Sequence, residues 1–107
     1  MFTRQKASYR SSIGQVSTEF DIQLKPSAKK DFKKFTFPIQ RELAQAINAL
    51  VVDPYPKGYA TVKGRSGLYR ITVGVYRLVY SVNLQDRQIF LVLIDHRDSV
   101  YKRLKSI

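Results

Sequence analysis

Residues 67–80 read GLYRITVGVYRLVY, and the reading of this stretch decides the fold. Leu68 to Val73 and Tyr76 to Asn83 each carry the alternating, β-branched and aromatic pattern of a strand. Only Gly74-Val75 separates them, and a glycine in the first position of a two-residue connection is what a type II′ hairpin turn prefers. That turn sets Val73 opposite Tyr76, Ile71 opposite Leu78 and Tyr69 opposite Tyr80. All six are apolar or aromatic, so they form one core face, and a slip of one residue would turn every one of them to water. Arg70, Thr72 and Arg77 then occupy the opposite face, with Arg77 across from Thr72. Two guanidinium groups on adjacent strands imply a shared anion site.

Downstream, Gln88 to Asp95 reads as the third strand of a meander, so uniformly apolar that both of its faces are expected to be covered. It delivers Asp95, His96, Arg97 and Asp98 at its end, ahead of a short helix over Ser99 to Leu104 with Val100 and Leu104 inward. Upstream, Glu19 to Lys25 alternates as a half-buried strand that Pro26 ends. Ser27 is the expected N-cap of a helix in which Ala28, Phe32 and Phe35 face inward. Its Lys29, Lys30, Lys33 and Lys34 face water, and a solvated helix face explains them more simply than a nucleic-acid patch. Thr36 and Pro38 open a second helix with the apolar stripe Ile39, Leu43, Ala46, Ile47 and Leu50, stopped by Asp53-Pro54. Tyr55 to Ser66 reads as irregular, with a short extended piece around Ala60 to Lys63. The expectation is a small single α+β domain over residues 19–107: an N-terminal strand, a two-helix hairpin, a three-stranded antiparallel meander and a short C-terminal helix. Residues 1–18, polar and without periodicity, read as a flexible extension.

The chain has 107 residues, with 19 Lys+Arg against 8 Asp+Glu and a net charge of +11. Its 44% hydrophobic content supplies a core and excludes a disordered basic tail as a description of the whole. The excess charge is +3 over residues 1–18, +2 over 19–58 and +6 over 59–107, so the C-terminal half, rich in arginine, points to a polyanionic partner. Absence of cysteine removes disulfides, thiolate metal sites and thiol nucleophiles, and a single histidine excludes multi-histidine metal sites. No run reaches the roughly eighteen apolar residues of a membrane span, and the N-terminus has no apolar signal region, so the expected address is the cytoplasm.

Arg70, Arg77, His96, Arg97 and Tyr101 could converge where the end of the last strand passes the hairpin. Metal-free cleavage of an RNA phosphodiester needs such a group. A base takes the 2′-hydroxyl proton, guanidinium groups stabilise the phosphorane-like transition state, and an acid protonates the leaving 5′-oxygen. Each member also has a plainer role open to it: His96 as a hydrogen-bonding surface residue, Tyr101 as packing on the sheet, Arg70 and Arg77 as phosphate anchors. Asp95 and Asp98 are more simply a strand end and a helix cap than metal ligands.

The order strand, lysine-rich helical hairpin, Asp53-Pro54, GLYRITVGVYRLVY and LVLIDHRDSVYKRL resembles the toxins of the RelE/ParE superfamily, and within it the RelE branch of messenger-RNA interferases. The resemblance covers roughly residues 19–104. It implies a curved antiparallel sheet backed by two helices, and a metal-independent, cofactor-free endoribonuclease that enters the ribosomal A site, cuts the bound message and leaves a 2′,3′-cyclic phosphate. Arg77 would match the transition-state phosphate ligand, with Arg97 beside it, Tyr101 the base-stacking and proton-handling tyrosine, and Arg70 the first of two basic residues on the hairpin strand. The second of that pair is Thr72 here, so His96 or Lys63 would have to supply the missing group. Lys63, Arg65, Lys102 and Arg103 are expected to bind RNA around this site. A cognate antitoxin is the implied protein partner. Two other readings stay open: a ParE-like inhibitor of DNA gyrase, favoured by Thr72, and an inactive toxin that persists as an antitoxin-binding corepressor.

Overall fold

The computed structural model describes residues 18–106. Its elements are β1 (Asp21–Leu24), α1 (Pro26–Lys34), α2 (Phe37–Val52), β2 (Ala60–Thr61), β3 (Leu68–Val73), β4 (Tyr76–Asn83), β5 (Gln88–His96) and α3 (Val100–Leu104). Apart from Thr18, the extension expected at residues 1–18 lies outside the described residues.

The hairpin has the expected register: Val73 pairs with Tyr76, Thr72 with Arg77, Ile71 with Leu78 and Tyr69 with Tyr80. Gly74 sits at φ +62° while Val75 keeps a negative φ, the combination a type II′ turn needs. A side chain at position 74 would be strained in that region.

The strands form one sheet in the order β1-β5-β4-β3-β2. The meander β3-β4-β5 is antiparallel, but β1 pairs with β5 in parallel, so the sheet is mixed rather than wholly antiparallel. The long connection between β1 and β5, which contains both major helices, makes a parallel pair possible.

A β-bulge interrupts the β4–β5 ladder. Val79 pairs with Leu93 and Tyr80 with Leu91, leaving Val92 as the extra residue. The bulge reverses the alternation along β5. Ile89 and Leu91 lie on the face carrying the main core; beyond the bulge Ile94 and His96 share that face, whereas Leu93 and Asp95 lie on the other.

The main core fills the space between the sheet and α1–α2, with Leu43, Ile47 and Leu50 of α2 against Ile71, Leu78, Tyr80, Ile89, Leu91 and Ile94. Each fully buried aliphatic side chain contributes about 1.5–3 kcal/mol. A second, smaller core lies on the outer face, where Val100 and Leu104 of α3 pack with Val62, Val79 and Leu93. β5 is thus covered on both faces, as its composition implied.

The open edge of β5 beyond β1 is closed by α1. Ser27 is not the N-cap of that helix: Lys25 is, with Pro26 in the first turn, and the Ser27 hydroxyl instead donates to the Val92 carbonyl at 2.7 Å. One turn on, the Asp31 carboxylate accepts the Ile94 amide at 3.0 Å. These bonds satisfy strand groups that would otherwise recruit another strand. At the far side of the core, the fully buried Tyr80 donates its hydroxyl to the Pro54 carbonyl at 2.6 Å, fixing the chain where α2 ends. Burial pushes the Tyr80 phenol pKa far above its ordinary value of 10.0, helped by neighbouring tyrosines and Asp53.

Candidate functional site

The outer face of the hairpin carries Arg70, Thr72 and Arg77. Arg77 stands across β4–β5 from Asp95, so the arginine and the carboxylate share this face. Asp95 is already engaged: it accepts its neighbour His96's amide at 2.7 Å and the Arg103 guanidinium at 3.0 Å. Arg77 donates to backbone carbonyls of its own turn, Tyr76 at 3.1 Å and Gly74 at 3.4 Å, which steadies the side chain beside the hairpin end. Arg70, half-buried, forms no hydrogen bond or ion pair with any described residue; on β3, diagonal to Arg77, it stands about 7–8 Å away backbone to backbone.

Arg97 joins the same end of the sheet. Its amide donates to the Val75 carbonyl at 2.8 Å, extending the β4–β5 ladder one residue beyond the strand, and its side chain is 58% exposed with only Asp98 at 3.7 Å beside it. Tyr101 lies in the first turn of α3 at 42% exposure, because the helix spends Val100 and Leu104 on the outer-face core. Lys63 and Lys102 are also exposed.

Three of the expected site residues are placed differently. His96 pairs with Tyr76, on the opposite face from Arg77, and its ring packs edge-on to Tyr76 at 6.1 Å between centroids. Its Nδ1 accepts the Asp98 amide at 3.1 Å, which leaves the proton of the neutral ring on Nε2. The sequence spacing Arg77…His96 gave no hint of this, because the bulge at Val92 is what turns His96 over. Arg103 bridges two acids, Asp31 on α1 and Asp95 on β5, at 3.0 Å each. Burial alone would lower its pKa, but the bonds to Asp95 and Asp31 outweigh that and hold it above 12.5. Arg65 donates to the Leu104 carbonyl at 2.6 Å and caps the C-terminal end of α3. Both arginines are therefore built into the scaffold that seats α3.

Asp31 is the residue that sequence reasoning passed over. It is only 5% exposed, and its partners come from β5 and α3. A signal existed: Asp31 occupies the i+3 position of the inward stripe Ala28, Phe32, Phe35, where an acid needs a partner. No cluster of acids and histidine suited to a metal ion occurs among the described residues, and none of their helices is long and apolar enough to cross a membrane.

A family model described as the ParE toxin of type II toxin-antitoxin systems, parDE, matches residues 22–101. A Methanocaldococcus jannaschii protein carrying the name RelE1 is 28% identical over 87 residues, covering 78% of this chain and 97% of its own length. Among solved structures, the archaeal RelE–RelB complex from Pyrococcus horikoshii aligns with TM-score 0.65 at 22% identity, covering 75% of this chain and 97% of that one. The isolated Escherichia coli RelE toxin aligns with TM-score 0.64 at 19% identity, covering 81% and 99%. The structural likenesses establish a shared fold.

Proposed function

The chain belongs to the ParE toxin family of type II toxin–antitoxin systems, within the RelE/ParE superfamily, and on that premise we propose that it is a ribosome-dependent messenger-RNA endonuclease of the RelE kind. The observation that carries the proposal is the grouping of Arg70, Arg77 and Arg97 at one end of the sheet, beside exposed Tyr101. No carboxylate neutralises Arg70 or Arg77 there, since Asp95 is taken by Arg103. Three cationic groups held on a rigid sheet suit a phosphodiester passing to a more highly charged transition state.

In this reading the message's own 2′-hydroxyl attacks phosphorus and the 5′-oxygen departs, giving a 2′,3′-cyclic phosphate. Arg77, with Arg70 and Arg97, carries the added phosphoryl charge. Tyr101 stacks on a base or hands a proton to the leaving oxygen. With Thr72 in the second basic position and His96 on the far face, Lys63 is the residue left to draw off the 2′-hydroxyl proton. The solved relatives include RelE–RelB toxin–antitoxin complexes, which supports a cognate antitoxin as the protein partner. The surroundings of the expected site make the cytoplasm its place of action.

A second reading, inhibition of DNA gyrase, is favoured by the family model's match and by Thr72. Mapping RNA 5′ ends after induction separates the two. New ends inside translated codons, absent with Arg77→Ala, are expected; intact messages alongside inhibited gyrase would sink the nuclease.

A further inference from the structure

The lysines of α1 take on a different meaning once Asp31 is placed. The helix carries Lys29, Lys30, Lys33 and Lys34, all exposed, with Lys25 at its N-cap. Lys29 and Lys33, and Lys30 and Lys34, are each four residues apart, so they form two adjacent rows with a spacing of about 6 Å along the axis. The one acid of the helix points inward, where Arg103 neutralises it. None of the four lysines forms an ion pair with a described residue. Like charges at this spacing cost the helix a few tenths of a kcal/mol per pair, which a face meant only for water would avoid by mixing signs.

We propose that this lysine face of α1 docks the phosphate backbone of structured RNA, as a surface separate from the arginine site. Two observations select the partner. No large apolar side chain of α1 is exposed, whereas a protein partner needs apolar or aromatic anchors to bury. A phosphate backbone needs only the positive charges. The choice of RNA over DNA rests on the nuclease reading above. The Asp31–Ile94 bond and the Phe35–Tyr76 ring contact at 5.0 Å hold the C-terminal part of α1 beside the last residues of β5, the sheet end from which Arg97 emerges. One RNA can therefore run from the arginine site over the β5 edge onto the lysines.

The test is fluorescence anisotropy of the full chain with a labelled RNA hairpin between 50 and 200 mM salt, comparing wild type, K29Q/K30Q/K33Q/K34Q and Arg77→Ala. Loss of four phosphate contacts lowers the slope of log affinity against log salt by about 3–4, so wild type loses about 10²-fold more affinity over that range than the quadruple variant does. Arg77→Ala keeps most of the wild-type slope, and thermal melting of the quadruple variant stays within a few degrees of wild type. An unchanged slope in a folded quadruple variant overturns the proposal. So does equal, lysine-dependent binding of a DNA duplex, or a poly-glutamate competitor that displaces the RNA and binds more tightly through the same lysines. Mapped RNA ends test the nuclease separately: cleavage with lysine-independent binding refutes this inference alone, and lysine-dependent RNA binding without cleavage refutes the nuclease alone.

Discussion

Arg65 and Arg103 lie in the same basic half of the chain as Arg70, Arg77 and Arg97, yet the two sets have opposite surroundings. Arg103 is clamped between Asp31 and Asp95, and Arg65 caps α3 through the Leu104 carbonyl. Arg70 has no such partner, Arg77 touches only the carbonyls of its own turn, and Arg97 is mostly in solvent. A guanidinium that already holds a carboxylate or a helix end has its donors committed. One without such a partner keeps them for a ligand. Net charge thus counts both sets equally, whereas their partners separate scaffold from site.

The sharpest way to break this division is to exchange the expected losses. Arg77→Ala is expected to lower the rate of message cleavage on programmed ribosomes by about 10²–10³-fold, the cost of removing one transition-state charge donor. Its melting temperature should stay close to wild type. Arg103→Ala is expected to do the reverse, costing about 3 kcal/mol of stability in a denaturant titration, because the buried Asp31 is left without its counter-charge. That value takes the low end of the range for such losses, since the Arg103 side chain is 37% exposed and water reaches the gap. If Arg77→Ala unfolds the protein while Arg103→Ala leaves it intact, the assignment of scaffold and site is inverted.

How much of this was legible in the sequence divides along the same line. The hairpin could be read to the residue because Gly74-Val75 fixes the turn and six apolar residues enforce one register. The helices followed from their apolar stripes, and the short C-terminal helix from Val100 and Leu104. The bulge at Val92 left no trace in the sequence, because β5 is apolar on both faces and a strand of that kind carries no alternation to interrupt. The site inherited that gap: it placed Arg77 on its face correctly and put His96 beside it when the two lie back to back. Ser27, Asp31 and Arg103 were illegible for another reason. Their partners, Val92, Ile94 and Asp95, are more than sixty residues from α1, and the last joins α3 to β5 only in three dimensions.

A smaller effect tests whether the helix-side core is as rigid as the outer face. Tyr80→Phe removes the bond to Pro54 and leaves that carbonyl without its buried donor, for an expected loss of about 1–2 kcal/mol by denaturant titration. The phenol also makes stability depend on alkaline pH. Below about pH 10 both folded and unfolded chains keep the proton. Above it the unfolded chain releases the proton while the buried Tyr80 holds it, so stability falls as pH rises. Tyr55, whose pKa is also raised, first by burial and then by its bond to Tyr69, adds to this limb. Tyr80→Phe should shrink the alkaline loss and leave the remainder to Tyr55. An undiminished loss in the variant would show that Tyr80 ionises freely in the folded protein.

The smallest expected effect bears on the boundary between the two faces. His96 is the only side chain of the chain able to exchange protons near neutral pH at its ordinary pKa, and composition alone makes it the first choice for a catalytic base. Its position argues against that. The ring lies on the Tyr76 side of the sheet, while Arg77 and Asp95 lie on the other, and its Nδ1 is occupied by the Asp98 amide. His96→Gln is therefore expected to change cleavage by less than about threefold, against the 10²-fold or more that loss of a general acid or base produces. The pH–rate profile discriminates further. If His96 carries the proton, the limb near its ordinary pKa of about 6.5 disappears in the variant. If Lys63 or Tyr101 does, the profile is unchanged by His96→Gln, because the base stands on the arginine face and the sheet itself separates it from the imidazole.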